Sequence, residues 1–387
     1  MKLYSEYLFC TFLFNIKHLF LGTYQLIKYY SMIVLEDKLS LFRCLLLYWY
    51  LCISNRLTFT EFIEFRMFDK GSSIKKKKEC LPSGLQEKYF FKTFDNYYDI
   101  LLNNKNIFSV LCRGFNIPTP RTIGVISLDG FDNLSSKCAS CLMDIFEEIT
   151  TYPVILKPSY GLCGKNIEKI CGFDKYRRMV KLSNGEKNIE LLTVEMVKSG
   201  FKEFIIQDYI EQHEMLRSIS ENAVNTIRVQ TFIQNKNVYI AGAMLKIGIG
   251  NTCVDNVGSN QFVSLIDLGS GELLRTIRIL SHSIPDIIKG DFIIEQNKHP
   301  ETGAQITGCI IPFWNEVKNL SIYCSQKFGM FNSIGWDIAI ADNGPIILEG
   351  NVAWTAKYQQ LLAGGIYKDT IKELIDDGIK CKRKAKK

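Results

Sequence analysis

The chain has 387 residues, of which 47% are hydrophobic and 22% charged, an ordinary globular balance that excludes disordered, collagen-like and low-complexity proteins. Its net charge of +7 comes almost entirely from Lys380, Lys382, Arg383, Lys384, Lys386 and Lys387, so the body has no general polyanion preference and no nucleic-acid partner is expected. Thirteen cysteines, an odd number scattered without a framework, point to a reducing compartment.

The length exceeds one hydrophobic core, so two or three packed subdomains are expected. Residues 1–56 read as helices, interrupted by Lys17, His18, Lys28, Glu36, Asp37, Lys38 and Arg43. The uncharged piece from Cys44 to Asn55 falls short of the ~18 residues needed to cross a bilayer. Glu6 and the lack of a small-residue cleavage site argue against a signal peptide. Packing on the body is the expectation, with peripheral membrane contact through this region or the basic tail as the alternative. Lys75–Lys78, beside Gly71, Ser72, Ser73, Pro82 and Gly84, reads as a solvated loop or linker.

Helices are expected from Tyr89 to Phe115, ending near Gly114, and Pro118 and Pro120 then force an extended segment. Cys138 and Cys141 form a lone CxxC, read as two small residues on a helix rather than metal ligands. Tyr152 to Lys157 is a strand, and Asn166 to Gly172 resumes as another after Pro158–Lys165. That loop is not a phosphate-binding P-loop, because its glycines are too close and Asn166 follows Lys165. It is a hairpin tip able to cover phosphates, with backbone N–H groups around Ser159, Gly161 and Gly164 and with Lys157 at its base.

Strands follow at Phe204–Ile210, Thr226–Phe232, Val238–Lys246 and Phe262–Leu268, with a turn over Ser218–Asn225 and a polar loop over Asp255–Asn260. On Thr226–Phe232, alternation puts Arg228 and Gln230 on one face. Helices are expected at Trp314–Phe328 and Ile366–Ile379.

Between the last two helices, Gly335 to Asn351 reads as a β-hairpin turning at Asp342-Asn343-Gly344, a three-residue loop with Gly in the left-handed position. With Ala341 opposite Pro345, Asp337 falls across from Glu349, and Asn351 follows on the same face. Two facing carboxylates in apolar strands repel unless a cation lies between them, and an all-oxygen set suits Mg²⁺.

The order of Lys105, Lys157 with its glycine hairpin, Ile205-Ile206-Gln207-Asp208-Tyr209-Ile210, Glu214, Asp337, Glu349 and Asn351 resembles the ATP-grasp superfamily. Asn225-Thr226-Ile227-Arg228-Val229, Val254-Asp255-Asn256, Gly335-Trp336-Asp337 and Glu349-Gly350-Asn351 look like its sugar-transfer-associated members in polysaccharide gene clusters. The likeness covers about residues 90 to 375. It implies an α+β fold in which two subdomains clamp Mg-ATP: a helical region over 1–88, the ATP-grasp domain over 89–375 with a lid near 150–208, and a basic tail over 376–387.

The resemblance further implies that Lys105 and Lys157 contact the ATP phosphates, that Gln207, Asp208 and Ile210 line the adenine hinge, and that Glu214 holds the ribose. Asp337, Glu349 and Asn351 would bind Mg²⁺. Arg228, with Lys246, Asp255 and Asn256, would stand at the reacting end, where a planar charged fork suits a phosphate or carboxylate. The implied activity is carboxylate–amine ligation through an acyl phosphate, on small or glycan-linked substrates, in the cytoplasm or at the inner membrane face. The alternatives are a kinase using Asp255 as base and a non-catalytic, membrane-peripheral nucleotide binder.

Overall fold

The computed structural model describes residues 2–37, 40–86, 98–128, 134–161, 166–221, 223–250, 262–352 and 354–376. Gly164, Asp255, Asn256 and the basic tail lie outside them. The described strands are, in chain order, β1 (Thr122–Ser127), β2 (Val154–Pro158), β3 (Glu168–Asp174), β4 (Met179–Leu182), β5 (Gly185–Asn188), β6 (Glu203–Asp208), β7 (Thr226–Gln234), β8 (Asn237–Ile247), β9 (Phe262–Ile266), β10 (Leu273–Ile279), β11 (Ile293–Glu295), β12 (Ser333–Ala341) and β13 (Gly344–Asn351). The chain divides into two compact units, one of residues 1–95, 275–296 and 353–387 and the other of 96–274 and 297–352. The expected boundaries at 88/89 and 375/376 are simpler than this, because later segments return to pack with the N-terminal helices.

The larger unit holds a six-stranded sheet in the order β1-β6-β2-β3-β4-β5. β1 joins it from upstream of the lid boundary expected near 150. Val154 and Leu156 of β2 and Ile206 of β6 enter a core with Ile170, Val180, Leu142, Phe146, Leu192 and Met196. The last four lie on the helices Leu134–Glu148 and Ile189–Lys198. Strand alternation then turns Ile155, Lys157 and Gln207 to the opposite face, where Ile155 pairs with Gln207 and Lys157 with Ile205.

The same unit contains strands in the order β9-β8-β7-β12-β13. On one face, Trp336 meets Phe108 and Phe328 with ring centroids 6.4 and 5.8 Å away, and its indole N–H donates to Ser325 Oγ at 2.9 Å. This aromatic cluster seats both the helix Trp314–Lys327 and the helix Lys105–Gly114. Asp337, one residue on, points to the other face.

The smaller unit is mainly helical. Lys2–Asp37 and Leu41–Asn55 pack together, and Leu26, Ile33, Tyr48, Leu51, Phe62 and Ile288 form its core. No described helix is long and apolar enough to cross a membrane. Lys75–Lys78, expected in a loop, lies in the helix Ile74–Lys78, capped by Ser73. Lys77 is buried there and donates Nζ to the Asp69 carbonyl at 2.6 Å, while Gly84, Leu85 and Gln86 are buried in the helix Ser83–Gln86. The stretch is therefore part of the packed body rather than a linker. Ser218 and Ile219, expected in a turn, end the helix Glu214–Ile219, and the last described helix begins at Asp369 rather than Ile366. Cys44, Cys52, Cys80, Cys112, Cys141, Cys171, Cys309 and Cys324 are free thiols.

Candidate functional site

The β12–β13 hairpin pairs Asp337 with Glu349 and Gly335 with Asn351, as the sequence suggested, but by another route. Ala341 pairs with Gly344, not Pro345, so the loop is one residue shorter than expected and consists of Asp342 and Asn343 alone. A bulge between Asp337 and Ile338 then restores the register. The extra residue lies beside the site instead of in the turn, a common place for a bulge that aims a side chain. Gly350 is opposite Trp336, and a Cβ there would come within 2.8 Å of the indole.

Across the other edge of β12, Asp337 pairs with Arg228 of β7. Arg228 Nε donates to Asp337 Oδ1 at 2.5 Å and its NH2 to Oδ2 at 2.8 Å. Lys246 of β8 donates Nζ to Oδ2 at 3.2 Å. Burial of the Asp337 carboxyl opposes ionisation, but Arg228 and then Lys246 outweigh it and hold the group well below the usual carboxylate range. Asn351 Nδ2 bridges the acids, donating to Asp337 Oδ2 at 3.3 Å and to Glu349 Oε1 at 3.2 Å.

From the first sheet, Lys157 lies near enough to Glu349 to feel its charge. Burial, with the positive charge of Lys105 next, pushes its pKa down to about 8, against the pull of Glu349. Lys105 opens its helix, which Asn104 caps through Oδ1 and the Ile107 N–H. Its backbone N–H donates to the Ser159 carbonyl at 2.8 Å and its Nζ to the Gly161 carbonyl at 3.0 Å. Ser159 is fully buried and its Oγ has no hydrogen-bond partner among the described residues. Gly161 adopts φ +135° with Phe201 against it, so the start of the loop requires glycine.

At the end of β6, Gln207 is buried and donates Nε2 to Thr122 Oγ1 at 3.2 Å, while Asp208 forms an exposed bidentate pair with Arg121. Ile210 is buried. The next turn is pinned to β12, where His213 N–H donates to the Ile340 carbonyl at 2.8 Å. Exposed Glu214 follows at the start of its helix. Asn225 is structural: its Oδ1 accepts from Gly248 N–H at 3.1 Å and its Nδ2 donates to the Leu216 carbonyl at 2.9 Å.

The structure thus brings Lys105, Lys157, Arg228, Lys246, Asp337, Glu349 and Asn351 into one region. Gln207, Asp208, Ile210 and Glu214 lie along the strand end and turn beside it. Sequence reading put Gln230 on the face of Arg228 without giving it a role. The residue is fully buried and neither amide atom has a hydrogen-bond partner among the described residues, an arrangement that is costly unless something else satisfies it. Its only signal in sequence was the two-residue spacing from Arg228.

The Asp337, Glu349 and Asn351 side chains offer the hard oxygen donors that Mg²⁺ prefers. Two carboxylates meet here, and the Asn351 amide between them presents Oδ1 on a half-turn of the side chain. The donor set fits a divalent cation, although Asp337 already has two cationic partners. Among the described residues, no group of three or more His, Cys, Asp or Glu side chains could hold a metal.

The two-sheet α+β architecture, with lysines beside a carboxylate hairpin, is that of ATP-grasp proteins. The profile described as sugar-transfer associated ATP-grasp matches residues 84–373, and the chain belongs to that family. No curated protein matches the chain. Among solved structures, it is similar to biotin carboxylase from Campylobacter jejuni in complex with an ATP analogue, at 14% identity over 72% of this chain and 46% of that one, with a TM-score of 0.37. A D-alanine–D-alanine ligase from Bacillus anthracis matches at 13% identity over 74% and 70% of the two chains, with a TM-score of 0.37. An L-amino acid ligase from Bacillus licheniformis matches at 10% identity over 66% and 42%, with a TM-score of 0.35. The chain spans less than half the length of the carboxylase and of the L-amino acid ligase.

Proposed function

We propose that the chain is an ATP-dependent carboxylate–amine ligase that works through an acyl phosphate, with Mg²⁺ as its metal and a substrate from surface or capsular polysaccharide synthesis. The observation that carries the reading is Lys157 within reach of the charge of Glu349, which pairs with Asp337, a cation and two acids held on different sheets of one unit. Lys105 and Lys157 bind the nucleotide phosphates and orient them. Ser159 and Gly161 shape the loop above, and Gln207, Asp208, Ile210 and Glu214 accept the nucleoside.

Asp337, Glu349 and Asn351 would hold Mg²⁺, which when bound neutralises phosphate charge. Arg228 and Lys246 hold Asp337 ionised and in place, and their positive charge favours an anionic acceptor over a neutral hydroxyl. A carboxylate oxygen of the acceptor attacks the γ-phosphorus and ADP leaves. The amine nitrogen then attacks the acyl carbon, and phosphate departs with that oxygen. No side chain has to act as a nucleophile.

The test follows the oxygen. After screening amino acids and sugar acids for ADP and phosphate release, the active carboxylate is labelled with heavy oxygen. Label in inorganic phosphate, dependent on both ATP and amine, supports the ligase. Unlabelled phosphate, or a stable phosphorylated product, refutes it and points to a kinase.

A further inference from the structure

The helices Lys2–Asp37 and Leu41–Asn55 run side by side, with Gly22 against the Tyr48 ring and Leu41 N–H donating to Tyr30 Oη. Their inward faces supply the core of the smaller unit. Their outward faces are also apolar. On the first, Phe20, Leu21, Tyr24 and Ile27 are exposed, and on the second Phe42, Leu46, Trp49, Tyr50 and Ile53. These positions recur at three- and four-residue intervals, so each set forms one stripe along its helix. Trp49 Nε1 donates to Thr23 Oγ1 at 2.9 Å in an exposed contact, which ties the two stripes at their seam. An apolar surface of this extent on a folded unit marks an interaction site.

The charges at its border decide the partner. Between Ile16 and Val34 the charged side chains are Lys17 and Lys28, both exposed, and Leu41–Asn55 contains exposed Arg43 and no acid. At the far end of the second stripe the helix Ile74–Lys78 presents exposed Ile74, Lys75 and Lys76, and Lys78 Nζ lies 4.6 Å from the centre of the Tyr50 ring. The Asn55 amide donates to the Lys78 carbonyl, holding this basic turn against the stripe. A symmetric contact with a second copy would set these cations against one another. Anionic headgroups complement them, while Trp49, Tyr24 and Tyr50 combine an apolar ring with a polar edge suited to the membrane–water boundary.

We propose that this two-helix face lies in the plane of an anionic lipid surface, apolar stripes inward and Lys17, Lys28, Arg43, Lys75 and Lys76 at the headgroups. The inference is independent of the proposed reaction.

The test is flotation of the full chain with vesicles of phosphatidylglycerol and phosphatidylcholine, and with phosphatidylcholine alone. The parent is expected to float with the anionic vesicles, less so in high salt and weakly with the neutral ones. Replacing exposed Tyr24, Ile27, Phe42 and Leu46 by Ser should lower partitioning by at least about tenfold, with circular dichroism unchanged. Lys75→Glu with Lys76→Glu should abolish the preference for anionic vesicles. A parent that stays with the soluble fraction, or a four-serine variant that floats as well as the parent, overturns the proposal. So does a parent dimer in sedimentation velocity that the serine variant dissolves, which would assign the face to a second copy.

Discussion

Lys157 links the site's chemistry to the stability of the fold. Replacing it with Met keeps the side chain's length and removes its charge. Burial and Lys105 lower its pKa from 10.5 to about 8, and at about 1.4 kcal/mol per pH unit this corresponds to a cost of roughly 3 kcal/mol for keeping the ammonium in the folded chain. In the unfolded chain the lysine stays protonated up to its ordinary value, whereas in the folded chain it loses its proton near pH 8. The unfolded state therefore binds more protons across that window, and the parent gains stability as pH rises through it. Below pH 8 the cost is present in full. Without nucleotide, Lys157→Met should thus be more stable than the parent at pH 7, by up to about 3 kcal/mol, and the gain should vanish toward the upper end of the window. Urea unfolding followed by tryptophan fluorescence at several pH values measures the difference, in which titrations common to both proteins cancel. Phosphates should reverse the order, so that Mg-ATP stabilises the parent and leaves the variant nearly unchanged. A variant less stable than the parent at pH 7, or one with the same pH slope, refutes the assignment of a half-buried, desolvated cation; an equal thermal shift with Mg-ATP refutes its role at the phosphates.

Arg228→Met leaves the buried Asp337 carboxylate with Lys246 and without its bidentate partner, so a loss of about 3 kcal/mol is expected at pH 7. The depressed Asp337 pKa contributes stability that is present above the ordinary carboxylate value and lost as pH falls, so the gap between parent and variant should narrow on acidification below about pH 4. Chemical denaturation at neutral and acid pH measures it, and a gap unchanged by acid would show that the ion pair is not its source. Gly350→Ala places a Cβ 2.8 Å from Trp336 and 3.0 Å from Leu102. It should cost about 1–3 kcal/mol and shift the near-ultraviolet circular dichroism of the indole, and a stability equal to the parent's would mean that the Trp336 packing has room to spare.

How far the chain was legible from its sequence depends on whether the governing interaction was local. Alternation along β2 put Lys157 opposite Val154 and Leu156, because a strand's side-chain period is fixed by the backbone alone. The Asp337–Glu349 pairing was also legible, since a tight turn joins its two strands, although a shorter turn and a bulge near Asp337 produced it. Neither could have been separated by counting residues.

Tertiary structure decided the rest. Arg228 and Lys246 meet Asp337 across 109 and 91 residues of sequence, and no periodicity fixes which distant cation neutralises a buried acid. Lys105 owes its place to Phe108, which packs on Trp336 and Phe328, so the helix is positioned by shape complementarity in a core assembled from remote segments. Lys77 looked like one of four solvated lysines until the Asp69 carbonyl gave its ammonium a buried partner, because composition records a side chain's polarity but not whether the folded chain supplies a hydrogen bond for it.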